Sequence, residues 1–213
     1  MTTYVLVHGA WHGGWCWKKT APLLRAAGAD VFTPTLTGLG ERAHLNDHIS
    51  PSEITVDVHI QDIVQLMRYE DLEDVVLVGH AYAGMVITGV AEACPERIAH
   101  MVYVNGVIPA NGESMVDQLI PVRGEEFARW VRNEIKNGDG FLPAPASVEE
   151  VGRRWGITDP CDLAWVGANV TPQPAAAMAS PVRMRNPKAA SIPKNFVGGG
   201  ESGFDSVAGR ARQ

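Results

Sequence analysis

Cysteine is scarce in this 213-residue chain, and the three that occur, Cys16, Cys94 and Cys161, are odd in number and far apart. That argues against a disulfide framework, and without C-x-x-C or mixed Cys/His spacing there is no sequence signature of a metal site. Free cysteines of this kind are ordinarily buried and inert. Basic runs are missing too: the formal charge is −6 and the pI about 5.6, with no basic stripe interleaved with aromatics. Nucleic acid and anionic membrane are therefore not expected as partners. No apolar stretch reaches the roughly 20 residues of a membrane span. Strand-like sequence from Tyr4 leaves no space for a charged leader with an apolar core, so a cytoplasmic protein is expected. Histidine is absent after His100; all seven (His8, His12, His44, His48, His59, His80 and His100) lie in the first half.

What is present is apolar sequence, 46% of the chain, enough to bury the core of one domain. Through about residue 107, strand-like runs at Tyr4 to Val7, Val31 to Phe32, Val75 to Val78 and Met101 to Val104 alternate with helix-like segments. This alternation predicts an α/β fold, a mostly parallel sheet covered by helices. Trp15 to Ala27 reads as a helix stopped by Gly28, and Val56, Ile60, Ile63, Val64 and Met67 mark one face of another. From Pro109 prolines multiply and strands disappear, leaving amphipathic pieces such as Glu125 to Lys136 and Val148 to Trp155. The expected division is a core over residues 1–108, an inserted helical lid over 109–191, and a return to the core over 192–213 with its strand at Ile192 to Val197. The Ala/Pro-rich patch from Thr171 to Pro181 reads as a loop.

The chemistry centres on Gly79-His80-Ala81-Tyr82-Ala83, which sits between the strand Val75-Val76-Leu77-Val78 and the helix-like run from Met85 to Ala91. Strand, sharp turn and helix are the context of a nucleophile elbow, in which small flanking residues let strand and helix approach closely. Together with the loop Val7-His8-Gly9-Ala10-Trp11-His12-Gly13-Gly14-Trp15 and the segment Leu36 to Arg42, the turn resembles the α/β-hydrolase superfamily. Within it, the resemblance is to the branch of plant methylesterases, hydroxynitrile lyases and bacterial esterases or lactonases. It implies a catalytic serine at position 81, where this chain has Ala81, and alanine cannot form an acyl-enzyme. It also implies an oxyanion hole from the N–H groups of Ala10 and Tyr82, which survive the loss of the serine.

The family order of serine, acid and histidine places the acid at Glu201, with Asp205 second, and the histidine beyond Gln213. On this reading the catalytic histidine, a final strand and its covering helix are missing from the sequence. Asn105 stands where bacterial relatives commonly carry Asp and where plant lyases resemble the Asn form.

Plainer roles are expected for several conspicuous residues. His8 and His80 should hydrogen-bond backbone beside their own turns. His12 and Trp11 should wall the substrate pocket, with Trp130 joining them from the lid. Phe127, Phe141, Trp155, Trp165 and Met178 should chiefly hold lid helices to the core. Glu41-Arg42 reads as an exposed ion pair or solvated loop. Gly198-Gly199-Gly200-Glu201-Ser202-Gly203 fits G-x-G-x-x-G in form but comes at the last strand, too late for a dinucleotide-binding unit. No cofactor is expected. The function implied is a carboxylic-ester or lactone hydrolase in a nucleophile-to-alanine form, acting on a small apolar substrate, with assembly as a homo-oligomer left open. A natural non-hydrolytic, decarboxylase-like member and a ligand-binding pseudoenzyme are the alternatives.

Overall fold

The computed structural model describes residues 1–198. In chain order it contains β1 (Thr3–Val7), α1 (Ala21–Ala26), β2 (Asp30–Phe32), α2 (Val56–Tyr69), β3 (Val75–His80), α3 (Ala83–Ala93) and β4 (Ile98–Val104). There follow α4 (Met115–Asn137), β5 (Phe141–Leu142), α5 (Val148–Trp155), α6 (Pro160–Asn169), β6 (Gln173–Pro174), α7 (Ala175–Ala179), α8 (Pro187–Ala190) and β7 (Lys194–Val197). Five strands form one sheet in the order β2-β1-β3-β4-β7, every pair parallel.

The near-continuous apolar runs of β1 and β3 are what a sheet covered on both faces requires. Val5, Val7 and Leu77 belong to the larger core, whereas Leu6, Val31 and Val78 pack with Ala21 in a second cluster. On the larger face, α2 buries Val56, His59, Ile60, Ile63 and Met67 at helical spacing. α3 is buried from Ala83 through Ala91, which explains why its sequence is apolar all round. The chain order reverses between β1 and β3, since β2 lies outside β1 and β4 outside β3. In open α/β sheets a crevice forms at the carboxyl ends of the strands flanking such a reversal. The loop after β1 and the turn after β3 both lie there.

Residues 109–191, between β4 and β7, are mainly helical, with two departures from the sequence expectation. Strands do not disappear: β5 and β6 pair antiparallel, Phe141 opposite Pro174 and Leu142 opposite Gln173. Nor is the Ala/Pro-rich patch simply a loop, because Ala175, Ala176, Ala177 and Met178 form the buried helix α7. Alanine has the highest intrinsic helix propensity, and here tertiary burial favours it over the breaking tendency of the flanking prolines. α4 begins with a capping box, in which the Ser114 hydroxyl accepts from Asp117 N–H and the Asp117 carboxylate accepts from Ser114 N–H. It is broken at Gly124, whose φ of 75° interrupts the helix and separates off the stretch from Glu125 onward.

Arg42 also differs from its expected role. Its guanidinium donates to Asp62 Oδ1 (3.1 Å), Thr35 O (3.0 Å) and Thr37 Oγ1 (2.8 Å), clamping the loop after β2 to α2. The carboxylate partner comes from a distant helix, and Glu41 is not it. Glu201, Asp205 and the glycines from Gly199 onward lie outside the described residues.

Candidate active site

β3 ends in a turn centred on Ala81, a non-glycine residue with φ of 49°. Left-handed backbone is strained for an alanine and persists only where its surroundings enforce it. Here the exit of β4 does so. Ala81 N–H donates to Val104 O (3.2 Å), while Ala81 O accepts from Val107 N–H (3.1 Å) and Gly84 N–H (3.1 Å). Behind the turn, the Tyr82 hydroxyl is buried and donates to His59 Nδ1 (2.9 Å), whose Nε2–H donates to Thr37 O (2.9 Å). This relay fixes residue 82 from its side-chain end and leaves its N–H at the start of α3.

The loop after β1 presses against the same turn. A Cβ placed on Gly9 would lie 3.2 Å from Ala81 Cβ and 3.3 Å from His80 O, tighter than ordinary contact. Trp11 follows with φ of 64° and is pinned from the inserted segment. Its N–H donates to the buried Gln173 Oε1 (3.1 Å), its carbonyl accepts from Thr171 N–H (3.0 Å), and its indole N–H reaches Pro143 O (3.1 Å). The N–H groups of Ala10 and Tyr82, by contrast, have no protein acceptor among the described residues.

These residues border a cavity of about 670 Å³ whose floor includes Gly9, Ala10, Ala81 and Tyr82. Trp11, His12, Phe127, Trp155 and Met178 contribute to its walls. Trp130 does not. It is 39% exposed and packs at 5.9 Å on Phe127, on the outer side of α4. The inward stripe of this half-helix runs through Ala128 and Val131, and the ~100° step per residue turns Trp130 away. Sequence reasoning also missed Arg123, Arg154 and the bordering role of His80. Asn105, φ 44°, borders the cavity as well, with its buried side-chain oxygen unpartnered among the described residues. The pair Arg154-Trp155 at the end of an amphipathic helix was the signal available, but nothing local shows which way that end faces.

The histidines here are neutral. His8 Nδ1–H donates to Gly9 O (2.9 Å) and Nε2 accepts from Leu36 N–H (3.0 Å), so a second proton would displace a bond. Burial pushes His8 down to about 3 and His80 down to about 4. His12 donates from Nδ1 to Ala10 O (2.7 Å) and is also lowered, first by burial and then by the nearby Arg154 charge. Unfolding restores a value near 6.5, so from about pH 6.5 down to 3 the unfolded chain binds protons that the folded chain refuses. Stability is full above pH 6.5 and falls as the pH drops through that window. The expected cost at pH 5 is about 2 kcal/mol from His8 alone, with His80 adding in the same direction, and hence a melting temperature about 4–8 °C lower than at pH 8. Thermal melts across that range check it, and an unchanged midpoint down to pH 5 would contradict the neutral, enclosed His8.

Comparison with known proteins gives the family. The model of the alpha/beta hydrolase family matches residues 4–210. The chain belongs to the alpha/beta hydrolase family. A carbendazim hydrolyzing esterase of Nocardioides sp. is 39% identical over 189 residues, covering 85% of this chain and 73% of that protein. A putative chloroplastic methylesterase 13 of Arabidopsis thaliana is 29% identical over 91% of this chain, which spans 44% of its length. Among solved structures, an extracellular alpha/beta-hydrolase from a Paenibacillus species superposes with a TM-score of 0.79 at 23% identity, covering 99% of this chain and 86% of the other. Tomato methylketone synthase I complexed with 2-tridecanone superposes at 0.72 and 22% identity, over 96% and 81%. At such identities these two likenesses speak for the fold. No helix among the described residues is long and apolar enough to cross a membrane.

Proposed function

We propose that this is a carboxylic-ester or lactone hydrolase site with alanine at the nucleophile position, able to bind an ester without forming an acyl-enzyme. The observation that carries the reading is Ala81, held at φ 49° on the turn between β3 and α3 and bordering the cavity. That is where an elbow nucleophile stands in the family. The free N–H groups of Ala10 and Tyr82 would hold the carbonyl oxygen, the second aided by the positive end of α3. A serine at 81 would attack the carbonyl carbon. Its proton would pass to a histidine oriented by the acid, for which Glu201 is the first assignment and Asp205 the second. The mainly helical segment over 109–191 acts as the lid, and Trp11 and His12 wall the pocket. The esterase names carried by the Nocardioides and Arabidopsis relatives support the substrate class.

A phenyl ester carrying carbon-13 at the carbonyl tests this directly. It should bind, stay intact, and show a downfield carbonyl shift as the two N–H groups polarise the C=O bond. Filling the floor with Ala81→Leu should abolish both binding and shift. A bound ester with an unmoved carbonyl resonance would overturn the assignment of the two donors.

The non-hydrolytic reading draws on one observation: His12 Nε2 has no hydrogen-bond partner among the described residues while its ring borders the cavity. Carbon dioxide release from a β-keto acid by the unaltered chain, lost in His12→Ala, would favour it.

A further inference from the structure

Two arginines border the cavity, and among the described residues no aspartate or glutamate does. Arg154, on α5, lays its guanidinium over the Trp11 ring at 4.0 Å from the centroid and within 5.7 Å of the Trp155 ring. Stacking of this kind holds a guanidinium's plane and leaves its edge N–H groups free for a planar acceptor. Among the described residues no carboxylate lies within ion-pair distance of Arg154 or of Arg123. Glu150, one turn earlier on α5, is the carboxylate whose field favours Arg154, but its Oε2 accepts the Ala146 N–H. Arg123 comes from a different element, the stretch of α4 just before the break at Gly124, and its charge acts against that of Arg154.

A half-buried cation beside a second cation is unfavourable unless an anion joins them. Glu150 offsets the repulsion only in part, since among the described residues it forms no ion pair with either arginine, and both arginines belong to the cavity wall. The rest of the wall combines the polar His12, His80 and Asn105 with apolar side chains, of which Met115, Leu119, Phe127 and Met178 are in reach of a hydrocarbon body. Trp11 follows Ala10 directly, so the stacked cation is linked through one side chain to a carbonyl-binding donor.

We infer that the Arg154–Arg123 pair makes this an anion-selecting site, whose ligand is an acyl compound carrying a carboxylate at one end and its ester carbonyl at the other. The carboxylate pairs with the arginines under α5, the hydrocarbon lies along α4 and α7, and the ester carbonyl reaches Ala10 and Tyr82. The position of the ester end rests on the hydrolase reading above; the anion end does not.

The alanine at 81 makes equilibrium binding measurable, because an ester is not consumed. The probes are the monomethyl and dimethyl esters of glutarate, adipate and suberate, with octanoate as an acid that lacks an ester. In calorimetric titrations at low salt, at least one monomethyl ester should bind about tenfold more tightly than its dimethyl partner, as a charge-assisted, bidentate contact provides. The preference should shrink at high salt. It should fall below about threefold in the Arg123→Gln/Arg154→Gln double variant and persist in large part in Arg154→Lys, which keeps the charge but not the planar fork. Arg123 is exposed, so the single Arg123→Gln variant reports on selectivity without disturbing the core.

Equal binding of every monomethyl and dimethyl pair overturns the anion site and leaves the ester reading standing. A monomethyl preference that survives in the double variant also overturns it. Octanoate matching the best monomethyl ester, with the same dependence on the arginines, supports the anion site while removing support for the ester reading. Failure of every probe to bind overturns both.

Discussion

Ala81→Ser in this chain should leave kcat for p-nitrophenyl acetate roughly 10⁶-fold below that of a complete triad, because a serine hydroxyl without a general base is a weak nucleophile at neutral pH. Triad members act as a unit, so restoring one recovers little of the whole. The cavity does hold histidines, but neither is set up as the expected base. His80 is buried and lowered to about 4, and a base that weak draws a proton poorly from a hydroxyl. His12 commits its Nδ1–H to Ala10 O and sits against Trp15 and Trp155, at ring separations of 5.3 and 4.8 Å. Steady-state kinetics of the serine variant decides the matter. Turnover at a triad-like rate would show that a base acts within the chain. A pH–rate inflection near 4 would then point to His80, and loss of activity in His12→Ala would point to His12.

Gly84→Ala should cost at least about 3 kcal/mol and lower the melting temperature by about 6–12 °C, whereas Gly89→Ala, on the same helix, should stay within about 1 kcal/mol of the parent. Both glycines offer similarly little room. A Cβ on Gly84 would lie 2.0 Å from Val107 O and 2.7 Å from Val107 N; one on Gly89 would lie 2.1 Å from Ile60 Cδ1 and 2.6 Å from Ile60 Cγ1. What differs is the obstacle. Val107 is backbone, and its N–H holds Ala81 O, so moving it disturbs the strained turn itself. Ile60 presents side-chain atoms that give way by a change of rotamer together with a small shift of α2, without breaking a hydrogen bond, and alanine in a helix interior regains about 1 kcal/mol over glycine. Urea unfolding of the two variants beside the parent separates the cases. Equal losses would mean that α3 can shift against the β4 exit as readily as Ile60 can turn.

The bonds to Val104 and Val107 that hold the strained backbone at Ala81 come from the distant exit of β4, yet the turn was legible because its sequence signal is local: an apolar strand, small residues at 79, 83 and 84, then a helix-forming run. The same holds for the other strands of the main sheet, whose apolar runs match their observed positions within a few residues, and for α2 and α5, whose periodicity or caps are written in neighbouring residues. Alanine and proline content misled at α7, where burial of Ala175–Ala179 outweighs composition. The two-residue strands β5 and β6 were invisible because each exists only through the other.

The wall of the cavity was another matter. Trp11 and His12 follow from their place in the first loop, but Trp130 was assigned by residue type and faces outward. Whether an aromatic points in or out depends on the rotation of α4, which the break at Gly124 and the buried Ala128 and Val131 set together. The bond from Trp11 N–H to Gln173, the stacking of Arg154 on Trp11, and the placing of Arg123 and Arg154 on one cavity wall each join residues distant in the chain. Backbone propensity and hydrophobic period act over a few residues, so the sequence by itself determined the parallel sheet and the strand, turn and helix that carry Ala81. The charge of the cavity and the pinning of Trp11 arise from side chains brought together only after the sheet has formed and residues 109–191 have packed across its carboxyl edge, and only the tertiary structure decided them.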